Sequence, residues 1–330
     1  MLAERAFGPD LVRTLVTGAT PEHTLRIPPA DLPDLIGRLR YHRLEPQFIR
    51  AIEDGLVDVD PEQRPQVAQT STMLALLGLD LEYLLVTVAS VLNEAGIEFL
   101  VLKGMATRQL DHPRGTLRQA ADVDLLVDDR AYDPAGAALA DAGFRPPDEA
   151  TTLMDKGGAW RLPNGRSVDL HTRPHTAGRN LGRHWWSTAE TFDVAGHQFQ
   201  ALSRGGRMAH AASHFSLSFP NHRIFSSLHD LHQISSLATV DEREEAERFL
   251  VEIGVSDIVR RITERTTPIV GHEGVVIGHP SSWPLDRILR KAYDRSDLDK
   301  AALKLAKAYG MPCQAGAGCS TTGCSRPTAI

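Results

Sequence analysis

Asp122-Val123-Asp124 places two carboxylates two residues apart at the head of the apolar run VDLLV, and SVDLHTR places a third, Asp169, between Val168 and Leu170. On a β-strand, residues i and i+2 point to the same face. Asp122 and Asp124 then aim at one point while Val123 enters the core, and Asp169 can join them from a neighbouring strand. Such a set suits phosphoryl or nucleotidyl transfer, which needs charge neutralised on a triphosphate and on the attacking oxygen. Two Mg²⁺ ions about 4 Å apart do this. Mg²⁺ takes oxygen ligands, commonly one or two carboxylates with waters and substrate phosphates. Asp122, Asp124 and Asp169 are therefore candidate catalytic and metal-binding residues, for Mg²⁺ or Mn²⁺.

The residues just upstream fit the same chemistry. IEFLVL (97–102) runs into Lys103-Gly104, followed by a short helical pattern over 103–112. A glycine there lets the backbone approach a phosphate, the helix start offers free N–H groups, and Lys103 adds a point charge. Arg118 lies between this turn and the carboxylates and is read as a triphosphate contact. Arg108 and Arg114 are read as solvated helix and loop residues. His171 shares a strand face with Asp169 and is a candidate nucleotide contact; His175 flanks the same strand. Asp128 and Asp129 read as helix caps. His210/His214 and His229/His232 have helical spacings that can hold zinc, but without an HExxH motif or a cysteine partner they read as packing and hydrogen-bonding groups. Asp230 stays open between orienting a site residue and acting as a surface acid. Trp185 and Trp186 read as one core and one surface residue rather than a base-stacking pair.

The run FLVLKGMATRQLDHPRGTLRQAADVDLLV (99–127) resembles the uncharacterised nucleotidyltransferases of the DNA polymerase β-like superfamily, in their Lys-Gly branch. The shared pattern is Leu102-Lys103-Gly104, then Arg118, Asp122 and Asp124, then Asp169. HAASHF (210–215) and LHDLHQI (228–234) resemble that family's later helices. The likeness covers roughly residues 70–240. It implies an α+β fold with a mixed sheet and flanking helices, binding of an NTP and Mg²⁺, and transfer of a nucleoside monophosphate. One departure stands out: many superfamily members have Gly-Ser after the first strand, where this chain has Gly104-Met105. Lys103 and backbone N–H groups must then carry the phosphate contact.

The elements that must position these groups can be read from periodicity. Residues 1–65 read as an N-terminal helical region of short helices broken by prolines, among them DLPDLIGRLRYHRL and EPQFIRAIEDGL. Residues 66–203 read as the nucleotidyltransferase core. It opens with a long helix over 66–95, with Leu74, Leu77, Leu81, Leu84, Leu85, Val88 and Leu92 on its apolar face. Strands follow at 97–102 and 123–127, then a helix at 131–144. GGAWRLP and RSVDLHTRP form a hairpin across Asn164-Gly165, and HQFQALS (197–203) is an edge strand. Residues 204–310 read as a C-terminal helical region, including a helix over 284–309, and 311–330 as a flexible tail rich in Cys, Gly, Ser and Thr.

The chain has 330 residues, 42% hydrophobic and 24% charged, with a formal net charge of −6. That is enough for a sizeable core and an ordinary globular composition. The acidic balance gives no global reason to expect nucleic acid. No run of about 18 apolar residues is evident, so no membrane span is expected. Cys313, Cys319 and Cys324 all lie in the last 18 residues; a disulfide framework would be spread through the fold, and a cytoplasmic setting is expected. Their spacing does not match paired zinc ligands. The tail also resembles the core of a ribosomally made, modified peptide, and a plain flexible tail is the simplest reading.

The expected activity is an Mg-dependent transfer of an NMP, read as AMP from ATP, to a small-molecule, peptide or protein acceptor in modified-peptide or natural-product biosynthesis. Two alternatives share the fold: a toxin-type enzyme acting on tRNA or protein, and a non-catalytic nucleotide-binding protein. The acceptor and the oligomeric state are not legible.

Overall fold

A computed structural model describes residues 8–113, 116, 118–147, 157–174, 182–217, 224–270 and 275–278. Arg114, His175, the helix expected over 284–309 and the three cysteines lie outside the described residues.

The chain begins with α1 (Pro9–Thr17), β1 (Leu25–Ile27), α2 (Leu32–His42), α3 (Glu45–Glu53) and β2 (Val57–Val59). β1 and β2 pair in parallel, a correction to the purely helical reading of this region. Three-residue strands are too short to show a period-two pattern. α4 (Arg64–Glu94) is the long helix. Prolines stand in the first turns of α1, α2, α3 and α4, where the missing N–H has no intrahelical partner to lose.

Then come β3 (Phe99–Leu102), α5 (Lys103–Leu110), β4 (Val123–Val127), α6 (Tyr132–Asp141), β5 (Gly157–Arg161), β6 (Ser167–His171), α7 (His184–Ser187), β7 (Glu190–Val194) and β8 (His197–Ala201). The last part is helical: α8 (Arg204–Leu217), α9 (Ile224–Leu237), α10 (Val240–Ile253), α11 (Ser256–Thr263) and α12 (Thr267–Val270).

The main sheet has six strands in the order β5-β6-β4-β3-β8-β7. β4 runs parallel to β6 and β3 parallel to β8, whereas β3–β4, β5–β6 and β7–β8 are antiparallel. This is the mixed sheet with flanking helices that the family resemblance implies. One strand position differs. HQFQA is interior, between β3 and β7, and the edge belongs to β7, which the sequence reading passed over. The missed signal is the alternation of ETFDV and HQFQA around Ala195-Gly196, a two-residue turn with both residues at positive φ. Such turns match the twist of paired strands.

The sheet separates two clusters by strand alternation. Val101, Val123, Leu125, Val168 and Leu170 pack with Leu84, Leu85, Val88 and Leu92 of α4 and Leu139 of α6. Leu100, Leu102 and Leu126 face the other way. Their cluster contains residues of α1–α3 and of α8–α11, including Leu39, Phe48, Phe215, Phe225 and Phe249.

The helical stretch Pro61–Glu94 is long and apolar enough to cross a membrane by length and composition, contrary to the expectation from the sequence. Two of its four acids, those in the middle of the helix, are engaged within the fold: Glu82 accepts from Arg108 at 2.6 Å and Asp80 pairs with Arg166. Its C-terminal half is a core helix, and Met73, Leu76, Leu79 and Tyr83 are exposed.

Candidate functional site

The register of β4 and β6 sets Asp124 opposite Asp169. Val123, Leu125, Val168 and Leu170 lie in the cluster with α4, so alternation turns Asp122, Asp124, Asp169 and His171 to the opposite face of the sheet. Ligand atoms of Asp124, Asp169 and His171 lie within 4.8 Å of one another. Asp122 precedes the strand and lines the same cavity.

Asp124 is 5% exposed and is the hub. Its Oδ1 accepts from Lys103 Nζ at 2.6 Å and from His171 Nε2 at 2.9 Å. A carboxylate only accepts, so the His171 proton sits on Nε2. Burial pushes the Asp124 carboxyl up, but the Lys103 ammonium and the His171 hydrogen bond outweigh it and hold Asp124 well below the usual carboxylate range. Burial and the Asp124 charge push Asp122 up, against the pull of Lys103, Arg43 and Arg118. Asp169 is pushed up by burial and by Asp124 and Asp122. Negative charge is thus crowded around two carboxylates while the lysine compensates the third. A divalent cation would relieve this crowding, and the carboxylate donors fit a hard ion such as Mg²⁺.

Lys103 adopts φ +46 at the junction of β3 and α5. The residue in the left-handed region is therefore the lysine, and Gly104 serves a different need. A Cβ on Gly104 would come within 2.6 Å of Arg118 Nη1 and 3.0 Å of Ala120 Cβ.

Arg118 is fixed from the far side. Its Nε donates to Asp230 Oδ1 at 2.7 Å and its Nη2 pairs with Asp230 Oδ2. His112 Nε2 donates to the same Asp230 at 3.2 Å. Burial pushes the Asp230 carboxyl up, but Arg118 and His112 prevail and hold it well below the usual range. Asp230 is thus a buried partner of Arg118 in the cavity wall rather than a surface acid. His229, beside it, donates from Nδ1 to the Val16 carbonyl at 2.8 Å.

Most of these groups, though not His112, His171 or His229, line a cavity of about 530 Å³. Its walls include Lys103, Gly104, Thr107, Arg118, Asp122, Asp124 and Asp169 from the sheet side, Arg207, His210, His214 and Phe215 from α8, and Ser226, Ser227 and Asp230 from α9. Tyr41 and Arg43, at the end of α2, also line it. The sequence reading had no candidate there. Arg207 is committed to structure, since Nε and Nη2 donate to Asp111 at 2.7 and 2.8 Å and Nη1 to Glu190 at 3.0 Å. Arg108 is engaged with Glu82, and Trp185 packs on Phe249 and donates to Glu252 at 2.6 Å. Asp128 accepts from Arg130 N at 3.0 Å, closing a turn ahead of α6.

A protein-family model described as "Uncharacterised nucleotidyltransferase" matches residues 28–266. The match starts well before residue 70, where the motif likeness begins, and takes in α2 and α3. Among solved structures, one similar chain is an antigenic nucleotidyltransferase-like protein from Paracoccidioides brasiliensis, at 16% identity and TM-score 0.37, covering 60% of this chain and 94% of that one. Another is the lincosamide antibiotic adenylyltransferase LnuA in its lincomycin-bound form, at 12% identity and TM-score 0.33, covering 47% and 96%. No curated protein matches the chain.

Proposed function

The chain belongs to the uncharacterised nucleotidyltransferase family and is an enzyme of that class; from this premise we propose that it moves an NMP, read as AMP, from an Mg-bound NTP to a small-molecule, peptide or protein acceptor. One observation carries the reading: Asp124 and Asp169 stand in register on adjacent parallel strands, with Asp122 two residues before Asp124, beside the Lys103-Gly104 turn in one cavity.

Asp122, Asp124 and Asp169 would hold the Mg²⁺ or Mn²⁺ ions. When bound, the ions neutralise charge on the triphosphate and favour the ionised form of the acceptor. Lys103, the N–H groups at the start of α5 and Arg118 bind the phosphates. Gly104 keeps the space that lets Arg118 lie over the turn. His171 holds the Asp124 carboxylate in place, which is how this residue serves the nucleotide site. The acceptor O–H or N–H attacks the α-phosphorus, forming the new bond to phosphorus. The bond between the α-phosphorus and the bridging oxygen breaks, and pyrophosphate leaves with that oxygen. Asp169 takes the acceptor proton. Positioning and fixed charge supply most of the rate.

A role in modified-peptide or natural-product biosynthesis is part of the proposal. The test is transfer of label from α-³²P ATP, GTP, CTP and UTP with Mg²⁺ in extract of the source organism. Wild type should label an acceptor, and the Asp122→Ala/Asp124→Ala variant should not. Label on tRNA would favour the toxin-type activity, and nucleotide binding without any transfer would favour a non-catalytic role.

A further inference from the structure

An NTP brings two chemistries to a site, a chain of charged phosphates and a flat aromatic base. In the reading above, the carboxylates with their ions, Lys103 and Arg118 take the first. A cavity of about 530 Å³ has room for the second as well, since pockets of this size enclose most of a small-molecule ligand. Every base presents a π-face, and proteins hold that face by stacking an aromatic ring on it.

Among the described residues two six-membered aromatic rings line the cavity, Phe215 and Tyr41. Phe215 is 2% exposed, so its faces are spent on the core. Tyr41, in the last turn of α2, is 57% exposed. A single exposed ring on a protein surface is ordinary; this one is set apart by how it is held. It meets His42 at 86°, with ring centres 4.9 Å apart. His42 in turn packs on the fully buried Phe225, at 4.6 Å. An edge-to-face contact covers at most one face of either ring, so His42 leaves at least one face of Tyr41 open. The backbone beneath is anchored. Leu39 and Leu44 are fully buried, the Leu44 N–H donates to the Leu39 carbonyl at 2.8 Å, and Arg40 donates to Glu45 at 3.2 Å. An open ring, backed by rings that run into the core, thus lies in the wall of the cavity that holds the carboxylates. The family match, from residue 28, includes α2.

We propose that Tyr41 is the base-stacking residue of the nucleotide site, contributed by the N-terminal helices. The proposal rests on the nucleotidyltransferase reading of the cavity and adds where the base lies. Phosphates and ions occupy the groups of β3, α5, β4 and β6, so the base of a bound NTP lies beyond them, and Tyr41 belongs to none of these elements. A base is the ligand argued for because every NTP carries one, whereas nothing requires an acceptor to be aromatic. Stacking reads a face and not an edge, so the contact serves whichever base the rest of the site admits.

The test uses the full chain with Mg²⁺ and no acceptor. Two kinds of probe are compared by calorimetry: the α,β-methylene analogues of ATP, GTP, CTP and UTP, which bind without reacting, and inorganic tripolyphosphate, which has no base. The proteins are wild type, Tyr41→Ala and Tyr41→Phe. Tyr41 is exposed, so both variants should melt within about 2 °C of wild type. Tyr41→Ala should bind the analogue that wild type prefers roughly 5- to 100-fold more weakly, the worth of one base stacked on an aromatic ring, and should bind tripolyphosphate as wild type does. Tyr41→Phe, which keeps the ring, should match wild type for both probes. Unchanged analogue affinity in Tyr41→Ala would overturn the proposal while leaving the activity standing. So would an equal loss for analogue and tripolyphosphate, or a loss in Tyr41→Phe as large as in Tyr41→Ala. Failure of wild type to bind either kind of probe would overturn the reading of the cavity, and the assignment of Tyr41 with it.

Discussion

Gly104 shows how far residue types alone can be read. The Leu-Lys-Gly turn marks a phosphate approach from sequence, but the structure divides its labour: Lys103 takes the left-handed backbone, and Gly104 leaves room for the Arg118 guanidinium. Arg118 cannot easily swing away, because Asp230 holds it by two contacts. Gly104→Ala should therefore lower stability by about 1–3 kcal/mol, the usual range for overpacking, and raise the KM for the NTP. A urea titration together with steady-state kinetics checks both. Asp122 and Asp124 were legible because a two-residue spacing on a strand has one geometric meaning. The bond from Arg118 to Asp230 spans 112 residues, and no local pattern reports a contact at that separation. Tyr41 escaped for a related reason: in YHRLEP it stands at the polar end of an amphipathic helix.

At the scale of elements, the strands and helices that carry the carboxylates follow their periodicity closely. VDLLV is β4 from end to end, and Asn164-Gly165 joins β5 to β6. The turn between β7 and β8 was missed because Ala195 stands where Asn or Gly would announce it. Ala195 lies at φ +51, so Ala195→Gly should relieve strain and stabilise the protein by about 0.5–1 kcal/mol. The rise in urea midpoint, at constant denaturant slope, measures this. Arg207 illustrates the opposite case, a cation in the wall of the cavity whose work is structural. It is 3% exposed and ties α8 to Asp111, just past α5. Its place in RMAHAASHF gave no sign of this, since the partner is 96 residues away.

Across the whole molecule, residues of α1–α3 and α8–α11 share one hydrophobic cluster on the carboxylate side of the sheet. Periodicity shows that these helices are amphipathic but not which of them meet. The histidines between them give this packing a pH signature. Burial, with His112 adding to it, pushes His229 down to about 4, against the opposing pull of Asp230 and the bond to Val16. In the unfolded chain a histidine titrates near 6.5. Between about pH 6.5 and pH 4 the unfolded state then binds the extra proton, so stability falls as pH falls through that window, by roughly 1.4 kcal/mol per pH unit for one such group. Asp124 and Asp230, both depressed, lose their contributions only below the ordinary carboxylate range. Asp122 and Asp169, both raised, work in the opposite sense to His229. His229→Gln keeps a donor for the Val16 carbonyl and removes the titration. Urea midpoints from pH 7 to pH 4.5 should show a shallower loss in His229→Gln than in wild type, and parallel curves would contradict the assignment.

The central claim is that the carboxylates of β4 and β6 direct attack at the α-phosphorus of an NTP. It is tested most directly with α-³²P and γ-³²P forms of the nucleotide that supports transfer, in parallel reactions of wild type and Asp124→Asn. The account predicts α-label on the acceptor, γ-label in one equivalent of pyrophosphate, and a fall of at least about 100-fold in rate for Asp124→Asn, since removing a single charge-stabilising group from an active site commonly costs that much. Label reaching the acceptor from the γ-position, or an Asp124→Asn variant as fast as wild type, would contradict it.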